Sequence, residues 1–356
     1  MDFKKEFPVL QEYTYLNTAA SGLLPRSVQA YRQQHDRDFM HQGSLLKDRQ
    51  GMILTEVRET VGRFMGCAPE RVALTPNFSY GFNTLWEGVP KQKKVLLLEG
   101  DYPSVNWPVT SRDFKVVYAT IDAQLEQNIY DAVQKEHPDI LALSLVQWIN
   151  GIRIDLSFLK QLKNDFPRLL IVADGTQFCG TTPFNFEESG IDVLGASTYK
   201  WLNAGYGNAF FLFKEPVADQ IAPRTSGFNS LQGKYKPQEG NFIGRFEPGH
   251  QDTLNYGSLQ IALELIEQIG IQNISDQIRT LTKQAMETFV EFDLLQPMVV
   301  EREQHSSIFN LRADERLFNR LQKEGIICSQ RGDGIRVSFH YFNTLEDLEH
   351  LRQFLV

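Results

Sequence analysis

The sequence predicts an α/β fold: a mainly parallel sheet covered on both faces by helices, followed by a smaller α+β unit. Three observations lead there. Short apolar runs recur at 95–98, 116–119, 140–146, 169–173, 192–196 and 209–213, and near-continuous apolar runs mark strands buried on both faces. Stretches long enough for helices, such as 125–136 and 157–166, lie between them, and strand–helix alternation argues for a parallel sheet. The 356 residues suffice for about two domains at roughly 100–200 residues each.

In chain order, residues 27–48 are polar with few breakers and read as helix. Residues 55–65 place Val57, Val61, Phe64 and Met65 at helical spacing. Val72–Thr75 reads as a strand, followed by a helix that begins near Asn77 and runs to Trp86. After the strand–helix alternation, 225–249 is rich in Gly, Ser, Asn, Gln and Pro with little periodicity. Such a long irregular stretch in a compact protein reads as a functional loop and marks a boundary. Beyond it, 256–269 and 276–292 read as helices, 299–311, 325–329 and 334–338 as strands, and 314–323 and 345–354 as helices. The expected division is a large α/β unit, 15–254, and a small α+β unit formed by 1–14 with 255–356.

Composition excludes several function classes. Lys and Arg number 36 against 44 Asp and Glu, a net charge of −8. An acidic chain without a basic tract is a poor partner for nucleic acid. The three cysteines, Cys67, Cys179 and Cys328, are far apart and odd in number. They form no disulfide framework and no metal spacing, which suits a reducing compartment. The seven histidines show no ligand spacing either, so no metal is expected. No apolar stretch approaches the ~18 residues of a membrane span, and the N-terminus lacks a secretory apolar core. The expectation is a cytoplasmic protein without a membrane partner.

The chemistry is expected at the carboxyl ends of the strands, where open α/β sheets bind ligands. The run 169–173 leads directly into Asp174-Gly175-Thr176-Gln177. Alone, Asp174 could be a turn former; at a strand end it can also face a cationic ligand. The run 192–196 ends in Ser197-Thr198-Tyr199-Lys200-Trp201. A lysine emerging from an apolar strand loses its proton more readily through desolvation, and a neutral lysine can form a Schiff base. Val72–Thr75 is followed by Asn77-Phe78-Ser79, where a helix N-terminus would offer N–H groups and a hydroxyl to an anion. An ordinary cap at Asn77 or Ser79 is the plainer reading. Together, an aspartate for a ring nitrogen, a lysine for an aldehyde and a helix end for a phosphate are the inventory of a pyridoxal phosphate site.

These residues resemble the class V aminotransferase family of fold-type I pyridoxal phosphate enzymes, which also holds cysteine desulfurases, kynureninase and isopenicillin N epimerase-like proteins. The resemblance rests on Tyr15-Leu16-Asn17-Thr18-Ala19-Ala20, on Asp174 to Gln177 with Ser197 to Lys200, and on the segment from Gly334 to Thr344. It implies a mainly parallel, seven-stranded type of sheet and assigns roles. Lys200 would be the Schiff-base lysine and Asp174 the partner of the pyridine nitrogen. Gln177 would bond the phenolate oxygen. The Phe78 backbone and Ser79, helped by Ser197 and Tyr199, would hold the phosphate. Tyr102 would stack on the ring, and Arg336, with Asn17 and Ala20 nearby, would receive the substrate carboxylate. His250 stands where a neighbouring subunit donates a phosphate contact, so the resemblance implies a homodimer with a shared site.

There are departures from the family pattern. Tyr199 stands where desulfurases carry His, and Trp148 where many members carry a cofactor-contacting Asn; Gln147 and Asn150 are the two candidates to compensate. The resemblance implies an enzyme acting on an amino acid or related amine, with aminotransferase as the expected activity. A desulfurase needs a mobile cysteine, and Cys328, in a strand-like run, is a poor one. Lyase and epimerase chemistry stay open, as does a noncatalytic binding relative, against which the joint presence of Lys200, Asp174 and Arg336 argues.

Overall fold

The structure, a computed structural model, describes residues 3–232, 236–237 and 242–355. The N-terminal part is helical: α1 (Phe3–Glu6), a short strand β1 (Thr14–Tyr15), then α2 (Arg26–Gln42), α3 (Ser44–Asp48) and α4 (Gln50–Met65). The single helix expected over 27–48 is broken at Gly43, whose φ of +51° lies in the left-handed region that glycine enters at little cost.

The sheet follows. Strand β2 (Val72–Thr75) leads into α5 (Phe78–Gly88), and β3 (Lys94–Leu98) into α6 (Pro103–Thr110). Next come β4 (Lys115–Ala119), α7 (Leu125–Glu136), β5 (Ile140–Ser144), α8 (Leu156–Asp165), β6 (Leu170–Asp174), β7 (Val193–Ser197) and β8 (Ala209–Phe213). Seven strands form one sheet in the order β2-β8-β7-β6-β5-β3-β4. The five from β7 to β4 are parallel, and β8 runs antiparallel to both neighbours. Between β7 and β8 there is no crossover helix, so the chain returns directly and must reverse direction. Strands β5, β6, β7 and β8 are buried at every position, as their continuous apolar runs require. One face packs on α5 and α6 through Phe78, Phe82, Trp86 and Val105, and the other belongs to a larger core that takes in α4, α7, α8 and α9.

Part of the irregular stretch 225–249 is described: β9 (Leu231–Gln232) pairs antiparallel with β10 (Lys236–Pro237), and Ile243–Arg245 forms a short turn. Residues 233–235 and 238–241 of that expected functional loop lie outside the described residues. Helices α9 (Thr253–Ile269) and α10 (Ile271–Glu291) start earlier than their apolar periodicity suggested. Asp252 caps α9 by accepting from Asn255 N–H, and only Gly270 separates the two helices. The tail continues with α11 (Pro297–Val300), β11 (Ile308–Leu311), α12 (Glu315–Lys323), β12 (Ile326–Ile327), β13 (Ser329–Arg331), β14 (Gly334–Ser338) and α13 (Leu345–Arg352). The strand expected over 299–311 is therefore only its last four residues. Pro297 starts a helical turn instead, and Arg302 is pinned by Glu126 in a two-pronged ion pair. Strand β14 is the centre of a three-stranded antiparallel sheet, β11-β14-β13.

The N-terminal segment joins the two halves. Strand β1 pairs parallel with β12, and Ser338 N–H donates to the Leu16 carbonyl at 2.8 Å. Six residues on, Gly22 N–H donates to the Tyr199 carbonyl at 2.9 Å. A Cβ at Gly22 would overlap the carbonyl oxygen of Lys200, so glycine is required here by close approach. Among the described residues no helix is long and apolar enough to cross a membrane.

Candidate active site

Asp174 is the last residue of β6 and Lys200 lies three residues beyond the end of β7, so the parallel strands deliver both to one edge of the sheet. Each is 6% exposed. Asp174 Oδ1 accepts from Thr176 N–H at 2.8 Å, and the Thr176 hydroxyl accepts from Ser197 N–H at 3.0 Å, tying the two strand ends together. Burial pushes the Asp174 carboxyl up to about 6, against the pull of its Thr176 hydrogen bonds and the Lys200 charge. Burial, then the Arg336 guanidinium, lowers Lys200 to about 8, with Asp174 opposing. The two feel each other's charge, yet no salt bridge joins them. The result is an amine that sheds its proton near neutrality and a carboxylate short of a cation, the perturbed pair expected of a functional site.

The N-terminus of α5 opens beside them. Asn77 caps it, its Oδ1 accepting from Tyr80 N–H at 2.8 Å. Phe78 N–H donates to Ser197 Oγ at 3.0 Å, and Ser79 Oγ donates to Ser104 Oγ at 2.9 Å. Three hydroxyls thus gather at the positive end of a helix dipole, a setting that receives anions.

Aromatic rings flank the lysine. Lys200 Nζ lies 5.8 Å from the Tyr102 ring centre and 5.6 Å from that of Tyr199. Tyr102 meets Trp148 edge to face at 5.7 Å. Tyr199 stacks on Tyr206 at 4.5 Å, and Tyr206 donates to Ser21 Oγ at 3.0 Å. Arg336, in the middle of β14, is 3% exposed. Its Nη1 donates to the Trp148 carbonyl at 2.6 Å, while its Nε is buried without a partner. Burial, then Arg331, lowers its guanidinium to about 10. A buried guanidinium with no carboxylate is incomplete until an anion arrives.

The remaining sequence candidates divide. Asn17 accepts from Ser329 Oγ at 2.9 Å and bridges to Ser338; Ala20 N–H donates to the Asn17 carbonyl. Gln177 accepts from the Trp201 indole at 2.6 Å and donates to the Ala19 carbonyl at 2.9 Å, which leaves one N–H of its amide. Of the two residues considered in place of the family's Asn, Asn150 accepts from Ile152 N–H and faces Met298. Gln147 lies beside the buried Asp101, its Nε2 without a partner. His250 stands in another setting: exposed, stacked on Phe228 at 5.2 Å, and lining a groove with His35, Phe39 and Leu46.

Several residues escaped sequence reading. Ser104 follows Tyr102 by two positions and meets Ser79 only through the α5–α6 contact. Tyr206 lies in a loop between two glycines and meets the site only by stacking on Tyr199. His340 and Asn343, inside the C-terminal signature, turn out to be clamps. His340 Nε2 lies 3.0 Å from the Trp201 carbonyl, and Asn343 Nδ2 donates to the Tyr15 carbonyl at 3.0 Å. Full burial lowers His340 to about 3, so it stays neutral. All three cysteines are buried. Burial pushes the thiols of Cys67 and Cys328 up to about 11 and that of Cys179 well above its ordinary value.

Fold and site together define an α/β enzyme that presents a lysine, an aspartate and a helix-end anion pocket along one strand edge. The chain matches the sequence model of Aminotransferase class-V over residues 14–351, and it belongs to that family, whose members depend on pyridoxal phosphate. It is 25% identical over 361 residues to YcbU of Bacillus subtilis, described as an uncharacterised aminotransferase, covering 98% of this chain and 95% of that one. In solved structures the same fold occurs in an apo cysteine desulfurase from Thermococcus onnurineus, with a TM-score of 0.86 and 20% identity over 99% and 96% of the two chains. It occurs also in the cystine C–S lyase C-DES bound to cysteine persulfide, with a TM-score of 0.87 and 18% identity over 98% of each.

Proposed function

We propose that this chain is a pyridoxal phosphate-dependent aminotransferase acting on an amino acid or related amine. The observation that carries the reading is the buried Lys200–Asp174 pair at one strand edge, with Arg336 close enough to depress the lysine. The residues fit the cofactor. Asp174 would hold a protonated ring nitrogen, Lys200 the aldehyde carbon, and Ser79, Ser197 and the α5 N-terminus the phosphate, with Ser104 adjoining. Tyr102 offers a ring face, and Gln177 one N–H for the phenolate. When bound, the cofactor supplies an electron sink. A substrate carboxylate would dock on Arg336, a reading supported by its unpartnered buried Nε, and a planar guanidinium suits that task. Lys200, once its amine is free, would be the base that takes a proton from the substrate Cα and returns it. A pKa near 8 is matched to that work at neutral pH.

Transamination is favoured over persulfide chemistry because all three cysteines are buried and protonated, whereas a sulfur-accepting thiol must be accessible and ionised. The same fact leaves thiol-free lyase chemistry as the second reading. Visible spectra of purified protein and Lys200→Ala, before and after an amino-acid panel, decide. A cofactor–lysine band lost in the variant and bleached by an amino acid supports transamination. A persistent band with keto-acid or sulfur release supports a lyase, and no band after added cofactor refutes both.

The reading extends to a homodimer. Phe39, Met40, Leu45 and Met52 are 59%, 80%, 65% and 55% exposed, an unusual apolar display for a monomer. The adjoining groove of about 560 Å³ contains His250, so a second copy seated there would bring His250 to the interface. The reading also takes 15–254 as the cofactor-bearing unit and 1–14 with 255–356 as the small α+β unit. Sedimentation of the cofactor-loaded protein as a monomer would refute the homodimer.

A further inference from the structure

A second cavity, of about 500 Å³, lies between α10 and the segment 302–307 and reaches the floor of the lysine site at Gln177 and Trp201. Its size is that of small-molecule pockets, about 300–1,000 Å³. Its charge is opposite to that of the molecule. In a chain of net charge −8, four of its five charged lining side chains are cationic: Arg153, Arg279, Lys283 and Arg302, against Glu303 alone.

We propose that this cavity binds a small multivalent oxyanion, a polycarboxylate or a phosphate-bearing metabolite, as a site separate from the one at Lys200. Arg302 and Arg279 have carboxylate partners in Glu126 and Asp276. Among the described residues Arg153 has none within ion-pair distance, the Asp155 carboxylate acting on it only from further off. Its guanidinium, with five N–H donors, gives one to Gln304 at 2.5 Å, and burial lowers its pKa. The Nε of Arg302, whose side chain is 4% exposed, and the hydroxyl of Thr282 are buried without partners. His305 completes the picture. Both of its ring nitrogens face carbonyl oxygens, of Ser306 at 2.6 Å and Asn150 at 2.8 Å, and only an imidazolium can donate to both. Burial and the guanidiniums of Arg302 and Arg153 instead hold it down at about 4. An anion in the cavity answers all of these at once: it pairs Arg153, offers acceptors to the Arg302 Nε and the Thr282 hydroxyl, and permits His305 its second N–H. The wall shared with the main site is the Gln177–Trp201 hydrogen bond, and Trp201 follows Lys200 directly in the chain.

The test is calorimetric titration of citrate and, separately, pyrophosphate into the protein saturated with pyridoxal phosphate. At least one probe is expected to bind at one site per chain; the tighter one tells polycarboxylate from phosphate. Lys283→Glu, at the exposed rim, and Arg153→Gln are expected to weaken it tenfold or more. Lys323→Glu, on α12 away from the cavity, and Arg336→Gln, in the main site, are expected to leave it unchanged. Absence of binding at millimolar concentration, loss in Arg336→Gln with retention in Lys283→Glu, or equal loss in Lys323→Glu would each overturn the proposal.

Discussion

The pKa assigned to Lys200 can be tested by how the protein captures its cofactor. Only the neutral amine attacks an aldehyde. With a pKa of about 8, roughly one lysine in ten is neutral at pH 7; at the ordinary 10.5, roughly one in 3,000 is. The environment therefore raises the reactive fraction about 300-fold, and the shift corresponds to roughly 3 kcal/mol of disfavour toward the ammonium. The sign follows from the causes. Below about pH 8 the capture rate should rise about tenfold per pH unit, then level off. Removing a repelling cation by Arg336→Gln should move the midpoint up toward 10.5, and removing the attracting carboxylate by Asp174→Asn should move it down. Stopped-flow mixing of cofactor-free protein with pyridoxal phosphate, referenced to a free alkyl amine, measures this. A wild-type rate that climbs without a break to pH 10, or variants that shift the midpoint the opposite ways, would refute the electrostatic account of the site.

Other perturbations probe the scaffold. Gly22→Ala places a methyl group on the Lys200 carbonyl; it should cost more than about 2 kcal/mol in denaturant unfolding and abolish cofactor retention, and a wild-type-like melt would contradict the close approach. Glu247 is buried, accepts from Leu74 N–H at 2.7 Å and pairs with Arg58. Arg58→Met leaves that carboxylate unpaired and should cost about 3 kcal/mol, read as a lowered unfolding midpoint; a loss under about 1 kcal/mol would show that the pair is not needed. Cys328→Ala should keep full amino-acid turnover, and loss of turnover in a folded variant would point back to sulfur-transfer chemistry through that thiol.

How much of this was legible in sequence depends on how local the determining interaction is. Asp174 and Lys200 could be read because each follows directly on an apolar strand, so strand end and chemistry share a few residues. The α5 cap was legible for the same reason. Helix α6 was not: Pro103 and Pro108 obscure it, although Pro103 sits in the first turn, where a missing N–H costs nothing. With α6 unread, Ser104 could not be brought to Ser79, 25 residues earlier. Tyr206 joins the candidate site only because its ring lies on Tyr199, which no periodicity encodes. The strand expected over 299–311 failed where apolar content misled, since Val299 and Val300 belong to a turn begun by Pro297.

The segment from Gly334 to Thr344 shows the limit most clearly, because Ser338, His340 and Asn343 act through position, with Arg336 alone proposed to meet substrate. Arg336 reaches the site from the centre of β14, and two residues on Ser338 ties that strand to the N-terminal segment, its Oγ accepting from Ala19 N–H at 3.0 Å. The same segment accepts from Gln177 at the Ala19 carbonyl and donates to the Tyr199 carbonyl through Gly22. His340 then binds the Trp201 carbonyl. Residues 15–22 are thus a strap whose two ends set the register between the arginine on one sheet and the lysine beyond the other. A slip of that strap would displace both charges together, so Gly22 and Ser338 act on the candidate site through position.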